Sequence, residues 1–98
     1  MKIIVVLLSL IFTSCGESTG VRQTYVLTTG TTSATYYPVG VALATLVSAN
    51  EESEFALTAI SSAGSLENVK LLRDNQAQFA TMLSIFATWA YEGEGPIL

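Results

Sequence analysis

Short apolar segments alternate three times along this chain with longer helical segments, and a turn rich in serine and threonine follows each apolar segment. The apolar segments are residues 25–27, 54–60 and 77–82, and the helical segments are residues 36–49, 66–73 and 85–92. Strands that alternate with helices in this way build a parallel sheet with right-handed crossovers. The sequence therefore predicts an α/β fold with a parallel sheet, formed by three β-turn-α units.

The first turn is the richest of the three in hydroxyl groups and reads TTGTTSATYYP. Gly30 suits a turn that needs a positive φ or a close backbone approach. Thr35 is expected to cap the following helix, whose first turn tolerates Pro38 because a backbone N–H would be unpaired there. Ser65 and Ser84 are expected to cap the second and third helices in the same way. Neither G-x-G-x-x-G nor G-x-x-x-x-G-K-[ST] occurs, so a nucleotide motif is not supported.

All three turns follow a strand and precede a helix, which places them at the carboxyl edge of the predicted sheet. Ligands of open α/β sheets bind at this edge. The N-terminus of a helix favours an anion, because its first N–H groups are unpaired and the helix dipole is positive there. Two interpretations of the turns stay open: a site for an anionic ligand, which three convergent helix starts favour, and ordinary helix capping.

The first helix carries apolar residues at helical spacing, which predicts one face packed against the sheet. These residues are Val39, Leu43, Leu46 and Val47. Tyr36 and Tyr37 stand next to each other and point about 100° apart on a helix. We expect Tyr36 to face the ligand and Tyr37 to pack. Phe86 and Trp89 of the third helix are expected to serve packing rather than ligand stacking.

The N-terminus has the three parts of an export signal. A cationic start precedes an apolar run at residues 3–12, and two small residues follow it. The run is shorter than the roughly 20 apolar residues that a membrane-spanning helix needs, and a buried strand is the alternative interpretation. We expect a signal peptide at residues 1–14, a polar tether at 15–24 and an incomplete first α/β lobe at 25–98.

Cys15 directly follows the small residues and is the single cysteine of the chain. This arrangement resembles a bacterial lipoprotein signal, in which the cysteine becomes the acylated first residue. Acyl chains on Cys15 would attach the protein to a membrane face, since each buried CH₂ contributes ~0.8 kcal/mol. Phe12 stands where such signals usually have an aliphatic residue, so simple secretion stays open as the alternative.

The chain offers few side chains for catalysis or metal binding. It has no histidine, one cysteine and a formal net charge of −4. Histidine-based acid–base chemistry is excluded, and a metal site built on cysteines needs more than one of them. Serine without a neighbouring base is a poor nucleophile, and the negative charge disfavours nucleic acid. We therefore expect no enzyme activity, no cofactor, no metal and no nucleic-acid partner.

The turns also carry a resemblance to a known family. Residues 28–30 and 35–40 read TTG and TYYPVG, and residues 64–68 read GSLEN. At this separation the motifs resemble the solute receptors of tripartite ATP-independent periplasmic (TRAP) transporters, specifically the TAXI subfamily. The resemblance extends more weakly to residues 95–96. It covers nearly all of the chain after the expected tether, but only the opening part of a family member.

The resemblance implies a lobe of the type II periplasmic-binding-protein fold, in which two α/β lobes close on a small solute. It implies a small carboxylate or amino acid as the solute, such as glutamate or 2-oxoglutarate. The partners would be integral membrane permease subunits, and the location would be extracytoplasmic, with attachment through acylated Cys15. The ligand-binding positions that the resemblance implies are Thr31, Thr32, Ser33, Thr35, Tyr36, Gly64, Ser65 and Ser84.

The chain departs from the family in its third turn, which reads Leu83, Ser84 and Ile85 where Gln-Ser-Asp is common. This departure leaves the identity of the solute open. A carboxylate site usually includes an arginine, yet Arg22 and Arg73 are expected at the edge of the sheet opposite the turns. We therefore expect the missing cation in sequence after this chain, and weak solute binding by the chain alone.

Other functions stay open beside the transporter receptor. A ligand-sensing or surface lipoprotein would use the same scaffold without a permease. An α/β enzyme would need a catalytic residue beyond Leu98. A non-functional fragment would leave strands partly unpaired and prone to association.

Overall fold

The computed structural model describes residues 21–97. The expected signal peptide, the acylation at Cys15 and the tether up to residue 20 lie outside the described residues. The elements in chain order are β1 (Gln23–Thr28), α1 (Tyr36–Ala49), β2 (Phe55–Ile60), α2 (Ser65–Arg73), β3 (Phe79–Ala80), α3 (Ser84–Glu92) and a 3₁₀ turn (Gly95–Ile97).

The three strands form one parallel sheet with β1 in the centre, in the order β2-β1-β3. The register of β1 with β2 runs from Gln23 opposite Phe55 to Thr28 opposite Ile60. Each strand is followed by a turn and a helix. The predicted α/β fold with three β-turn-α units is confirmed, and the architecture is that of a small lobe of the periplasmic-binding-protein type.

The third strand is shorter than predicted, and a side-chain group takes over part of its backbone pairing. β3 contains only Phe79 and Ala80, although residues 77–82 were expected to be extended. Just before this short strand, Gln78 continues the ladder with one backbone group and one side-chain atom. The Gln78 N–H donates to the Val26 carbonyl at 3.0 Å, and the Val26 N–H donates to Gln78 Oε1 at 2.9 Å. The side-chain oxygen of Gln78 therefore takes the place of one backbone carbonyl of the strand.

Arg22 fixes the start of β1 to the end of α1. Its guanidinium donates to the carbonyls of Ser48 at 2.7 Å and Asn50 at 2.8 Å. The last carbonyls of a helix have no intrahelical partner, and a cation is favourable beside them. This places Arg22 at the edge of the sheet opposite the turns, as expected, and β1 begins at Gln23, two residues earlier than expected.

The packing face of α1 is not the predicted one. Gly40 and Ala44 are buried against the sheet, and the half-buried Val47 packs on the Leu27–Leu57 contact as predicted. The prediction that large aliphatic residues cover the sheet is wrong for Val39, Leu43 and Leu46, which are 54%, 47% and 72% exposed.

Close approach explains why the small residues face inward. A Cβ atom at Gly40 would overlap Thr29 Cγ2, so glycine lets the helix axis lie near the sheet. A helix held this close has no room for leucine on its inner face. The larger residues consequently point away from the strands.

Two aromatic groups complete the packing. Tyr25, Phe55 and Phe79 form a cluster across the three strands, with ring centroids 5.4 to 6.0 Å apart. Phe86 and Trp89 of α3 meet edge to face with their centroids 5.4 Å apart. None of the helices found between residues 21 and 97 combines the length and the hydropathy needed to cross a membrane.

Candidate functional site

The three turns meet at the carboxyl edge of the sheet, where they surround an open cleft of about 440 Å³. The first turn and the start of α1 form one wall, the start of α2 forms another, and the third turn contributes one residue. The lining residues are Gly30, Thr31, Ala34, Thr35, Tyr36, Ala63, Gly64, Ser65 and Leu83. The cleft is therefore built by three separate β-turn-α units.

The structure brings together five of the eight candidate ligand-binding residues. The five that line the cleft are Thr31, Thr35, Tyr36, Gly64 and Ser65. Thr32 and Ser33 are exposed on the first turn but are not among the lining residues. Ser84 begins α3 beside Leu83 and is exposed, and it is not among the lining residues either.

The two adjacent tyrosines lie in different places. Tyr36 lines the cleft, and its Cβ is close to Gly30. Tyr37 instead lines a second groove, between α1 and β2, away from the turns. Both rings are half-buried.

The predicted side-chain caps do not form. Thr35 occupies the N-cap position of α1, but no capping hydrogen bond is made by its side chain. Gly64 and Leu83 hold the N-cap positions of α2 and α3, so Ser65 and Ser84 are the first helical residues and not caps. The φ of Gly64 is 118°, a conformation that disfavours any residue with a side chain. Gly64 therefore occupies the N-cap position, and Ser65 is the first residue of the helix.

Uncapped helix starts suit the cleft to an anion. The first N–H groups of a helix have no intrahelical partner, and those of α1 and α2 begin at lining residues Tyr36 and Ser65. The positive end of each helix dipole lies at the same place. Among residues 21–97, no lysine or arginine lines the cleft, and the Glu67 carboxylate in the first turn of α2 accepts a hydrogen bond of 3.1 Å from the N–H of the lining residue Ala63. Attraction for an anion here comes from the backbone and the hydroxyl groups.

Asn68 holds the strand ends beneath the cleft. Its side chain is fully buried. Its Nδ2 group donates to the carbonyls of Thr29 at 2.6 Å and Thr81 at 2.7 Å. Its Oδ1 accepts from Thr28 Oγ1 at 2.8 Å and from Ser62 Oγ at 2.6 Å. One amide group thus contacts the residues at or just after the ends of all three strands.

Ser65 adds a direct link between two turns. Its Oγ accepts a hydrogen bond of 3.0 Å from the Leu83 N–H. The Ser62 N–H donates to the Gly30 carbonyl at 2.9 Å, which joins the first turn to the second. Hydrogen bonds therefore connect each turn to a neighbouring one.

Asn68 belongs to the GSLEN motif, but its hydrogen bonds to the strand ends were not predicted from the sequence. A signal was available, because Asn68 stands three residues after Ser65 and four before Leu72. This spacing places the three on one face of a helix. A polar residue on an inward face indicates a buried hydrogen-bond partner.

The two arginines of the described residues lie away from the cleft. Arg22 is bound to the end of α1. Arg73 ends α2 and pairs with Asp74, with 3.0 Å between Nε and Oδ1. The hydrogen bond from Arg73 lowers the pKa of the exposed Asp74 carboxyl. Neither arginine is among the residues that line the cleft.

The model of the NMT1-like family matches residues 27–97 of the chain. The match begins within β1 and extends through all three turns of the cleft to the 3₁₀ turn. No solved structure matches the chain. Because the family match covers well over half of the sequence, the chain belongs to the NMT1-like family, a periplasmic solute-binding family.

Proposed function

We propose that this chain is the solute-binding receptor of a secondary transporter of the TRAP type, TAXI subfamily, and that its cleft holds a small carboxylate. Glutamate and 2-oxoglutarate are the leading solutes. The observation that carries the proposal is the cleft itself, where the starts of α1 and α2 meet beside threonine and serine hydroxyls. Membership of a solute-binding family supports the same function.

The carboxylate would accept hydrogen bonds from the unpaired N–H groups of the first helical turns. The Thr35 hydroxyl has no capping bond to break, so it is free to donate to a ligand oxygen. The ring of Tyr36 and the side chain of Leu83 would contact the apolar part of the solute.

The expected affinity of this chain is low. One helix start contributes ~0.3–1 kcal/mol toward an anion, and about 2 kcal/mol in favourable geometry. Micromolar affinity needs about 8 kcal/mol. The two helix starts at the cleft supply part of this free energy, and no lysine or arginine of the described residues lines the cleft to supply the rest. We expect millimolar binding by the chain alone.

The permease and the membrane anchor are part of the proposal. A receptor of this kind delivers its solute to integral membrane subunits from the extracytoplasmic side. Acylation of Cys15 would keep the receptor at that membrane face. Mass spectrometry of the exported protein would test acylation, because a lipidated Cys15 adds the mass of its acyl chains.

A matched pair of threonine variants tests the solute site. Thr35 lines the cleft, whereas Thr32 is exposed on the same turn outside it. NMR titration of the chain with glutamate and with 2-oxoglutarate should shift the backbone amides of residues 35–37 and 64–66. Thr35→Val should weaken the apparent affinity several-fold, and Thr32→Val should leave it unchanged. Glucose, which has no carboxylate, serves as the negative ligand.

Two results would contradict the proposal. The first is an absence of amide shifts at solute concentrations of tens of millimolar. The second is equal weakening by Thr35→Val and Thr32→Val, because a general disturbance of the first turn would affect both positions whereas loss of a ligand contact would affect only Thr35.

A further inference from the structure

The outer side of β2 is an edge of the sheet, since β2 pairs only with β1 in the sheet of residues 21–97. The carbonyl of Ile60 accepts from the Thr29 N–H at 3.0 Å and so points toward β1. Backbone groups alternate in direction along a strand. The groups of Phe55, Leu57 and Ala59 consequently point outward, where another strand could pair with them.

The side chain of Ser48, on α1, lies beside Leu57, the middle one of these three residues. Its Oγ donates to the Leu57 carbonyl at 3.0 Å and accepts from the Leu57 N–H at 2.9 Å. One hydroxyl therefore satisfies both backbone groups that Leu57 would offer to a new strand. The neighbouring outward carbonyl, that of Phe55, accepts from Ser53 Oγ at 2.8 Å.

Ser48 is held firmly in this position. Its own carbonyl accepts from Arg22 at 2.7 Å, which fixes the last turn of α1. The Leu57 side chain is 8% exposed and belongs to the core with Leu27 and Ala44. The contact between Ser48 and Leu57 thus joins two well-anchored elements.

Without the Ser48 hydroxyl, the edge of β2 would favour the addition of another strand. Residues 55–60 read FALTAI, an uncharged segment without proline or glycine, which is the composition that favours strand-to-strand association. An open groove of about 620 Å³ lies beside the edge, lined in part by Val41, Leu57 and Ala59. The same segment of a second copy has both the backbone groups and the apolar side chains to fit here.

We propose that the Ser48 hydroxyl protects the edge of β2 against addition of β2 from a second copy of the chain. This role is separate from the proposed solute site, because Ser48 lies near the opposite end of α1 from the residues that line the cleft. Loss of the hydroxyl should open the edge and leave the cleft unchanged.

The test compares Ser48→Ala with Ser84→Ala in the full chain. Ser84 is exposed at the start of α3 and is not among the residues that line the groove, so the same substitution there leaves α1 and β2 untouched. Sedimentation velocity over a concentration series should show self-association of Ser48→Ala at least tenfold stronger than that of the wild type. Ser84→Ala should match the wild type. In dilute Ser48→Ala, hydrogen exchange of the Leu57 amide should accelerate at least tenfold.

A second substitution separates strand pairing from unfolding. A lysine on an edge strand opposes strand addition, and Thr58 is an exposed residue of β2. The double variant Ser48→Ala/Thr58→Lys should return to the self-association of the wild type. If Ser48→Ala itself fails to fold by circular dichroism, Ser48→Cys replaces it, because a thiol keeps the shape but is a weak hydrogen-bond donor.

Three results would overturn the proposal. One is a folded Ser48 variant that associates no more strongly than the wild type. Another is unchanged exchange of the Leu57 amide. The third is association that Thr58→Lys does not reverse, which would show that general exposure of apolar surface drives it.

Discussion

Helices α1 and α2 pack on opposite faces of the same sheet, and they do so by different physical means. Helix α1 places Gly40 and Ala44 against the strands, so its contact beside the cleft is close and made of carbon atoms, and its hydrogen bonds to β2 come from Ser48 near its far end. Helix α2 places Asn68 there, whose amide makes four hydrogen bonds to the strand ends and the second turn. Neighbouring residues of β1 face the two helices, Thr29 toward α1 and Thr28 toward α2.

These two kinds of contact indicate which helix sets the geometry of the cleft. Close apolar packing is nondirectional, and its strength depends on shape and area. Hydrogen bonds require defined distances and angles. Beneath the cleft, the directional contacts between a helix and the strand ends come from Asn68 of α2, whereas those of α1 lie at the opposite edge of the sheet. We infer that α2 determines how the three turns meet and that α1 mainly determines how tightly the lobe is packed.

The largest effect is expected from Asn68→Leu. The substitution removes the Nδ2 donor from the buried Thr29 carbonyl, which keeps only a 3.4 Å bond from Thr81 Oγ1, and from the half-buried Thr81 carbonyl. Each unsatisfied buried group costs about 1–3 kcal/mol, so we expect the free energy of unfolding to fall by about 3–5 kcal/mol in urea denaturation. Gln76→Leu, an exposed amide beyond the same helix, should change it by less than about 0.5 kcal/mol. Similar losses for the two variants would show that the buried amide of Asn68 contributes no more than an exposed one.

The next effect is expected from Gly40→Ala on the α1 face. Alanine is the better helix former by about 1 kcal/mol, but its Cβ would overlap Thr29 Cγ2. We expect a net destabilisation of about 1–3 kcal/mol from overpacking. Gly30→Ala is the control, because a Cβ there would lie 3.4 Å from Tyr36 Cβ.

A double variant sharpens this second prediction. Thr29→Ser removes the methyl group that meets Gly40 and keeps the hydroxyl that bonds to the Ile60 carbonyl. Gly40→Ala/Thr29→Ser should therefore be more stable than the sum of the two single effects predicts. Additive effects would show that the contact is not steric.

A smaller effect is expected from Ser65→Ala at the start of α2. The change removes the acceptor of the Leu83 N–H, and we expect a loss of about 0.5–1.5 kcal/mol. Hydrogen exchange of the Leu83 amide should accelerate at the same time. Ser84→Ala is the matched control, since Ser84 is exposed and should contribute within about 0.5 kcal/mol. An unchanged Leu83 amide would count against the link between the turns.

The smallest effect is expected at the exposed end of α2. Arg73 hydrogen-bonds to Asp74 and lowers the pKa of its carboxyl. A lowered pKa stabilises the folded state above the unfolded pKa, and this stabilisation is lost as the pH falls through the folded value. NMR titration should show the pKa of Asp74 rising toward its ordinary value in Arg73→Gln, with little change in unfolding because the pair is exposed. A pKa that does not move would refute the pairing.

The alternation of strands and helices was sufficient to predict the fold, because period and turn chemistry are local properties. The bounds of α1, residues 36–49, match the prediction. The inward face of α1 was not predictable in this way. Hydropathy ranks Leu43 and Leu46 above Gly40, whereas the close approach to Thr29 depends on a contact between distant parts of the chain.

The sequence predicted the edge of the sheet at which the candidate site lies, but not the hydrogen bonds that hold the site together. Turns after parallel strands meet at one edge by topology, which indicates the edge of the sheet. The individual positions, among them Thr31, Thr35 and Ser65, were implied by the family resemblance, and these three line the cleft. The hydrogen bonds of Asn68 join residues up to 40 positions apart. A local pattern holds no information on which carbonyls lie within reach of an amide in the folded chain.

The position of Asn68 also gives the molecule a built-in spectroscopic reporter. Its side-chain NH₂ carries two protons, and these face carbonyls that follow two different strands. A solute that shifts the first turn would alter the Thr29 contact, and one that shifts the third turn would alter the Thr81 contact. The two resonances of this single group therefore distinguish, without any added label, which wall of the cleft a solute moves.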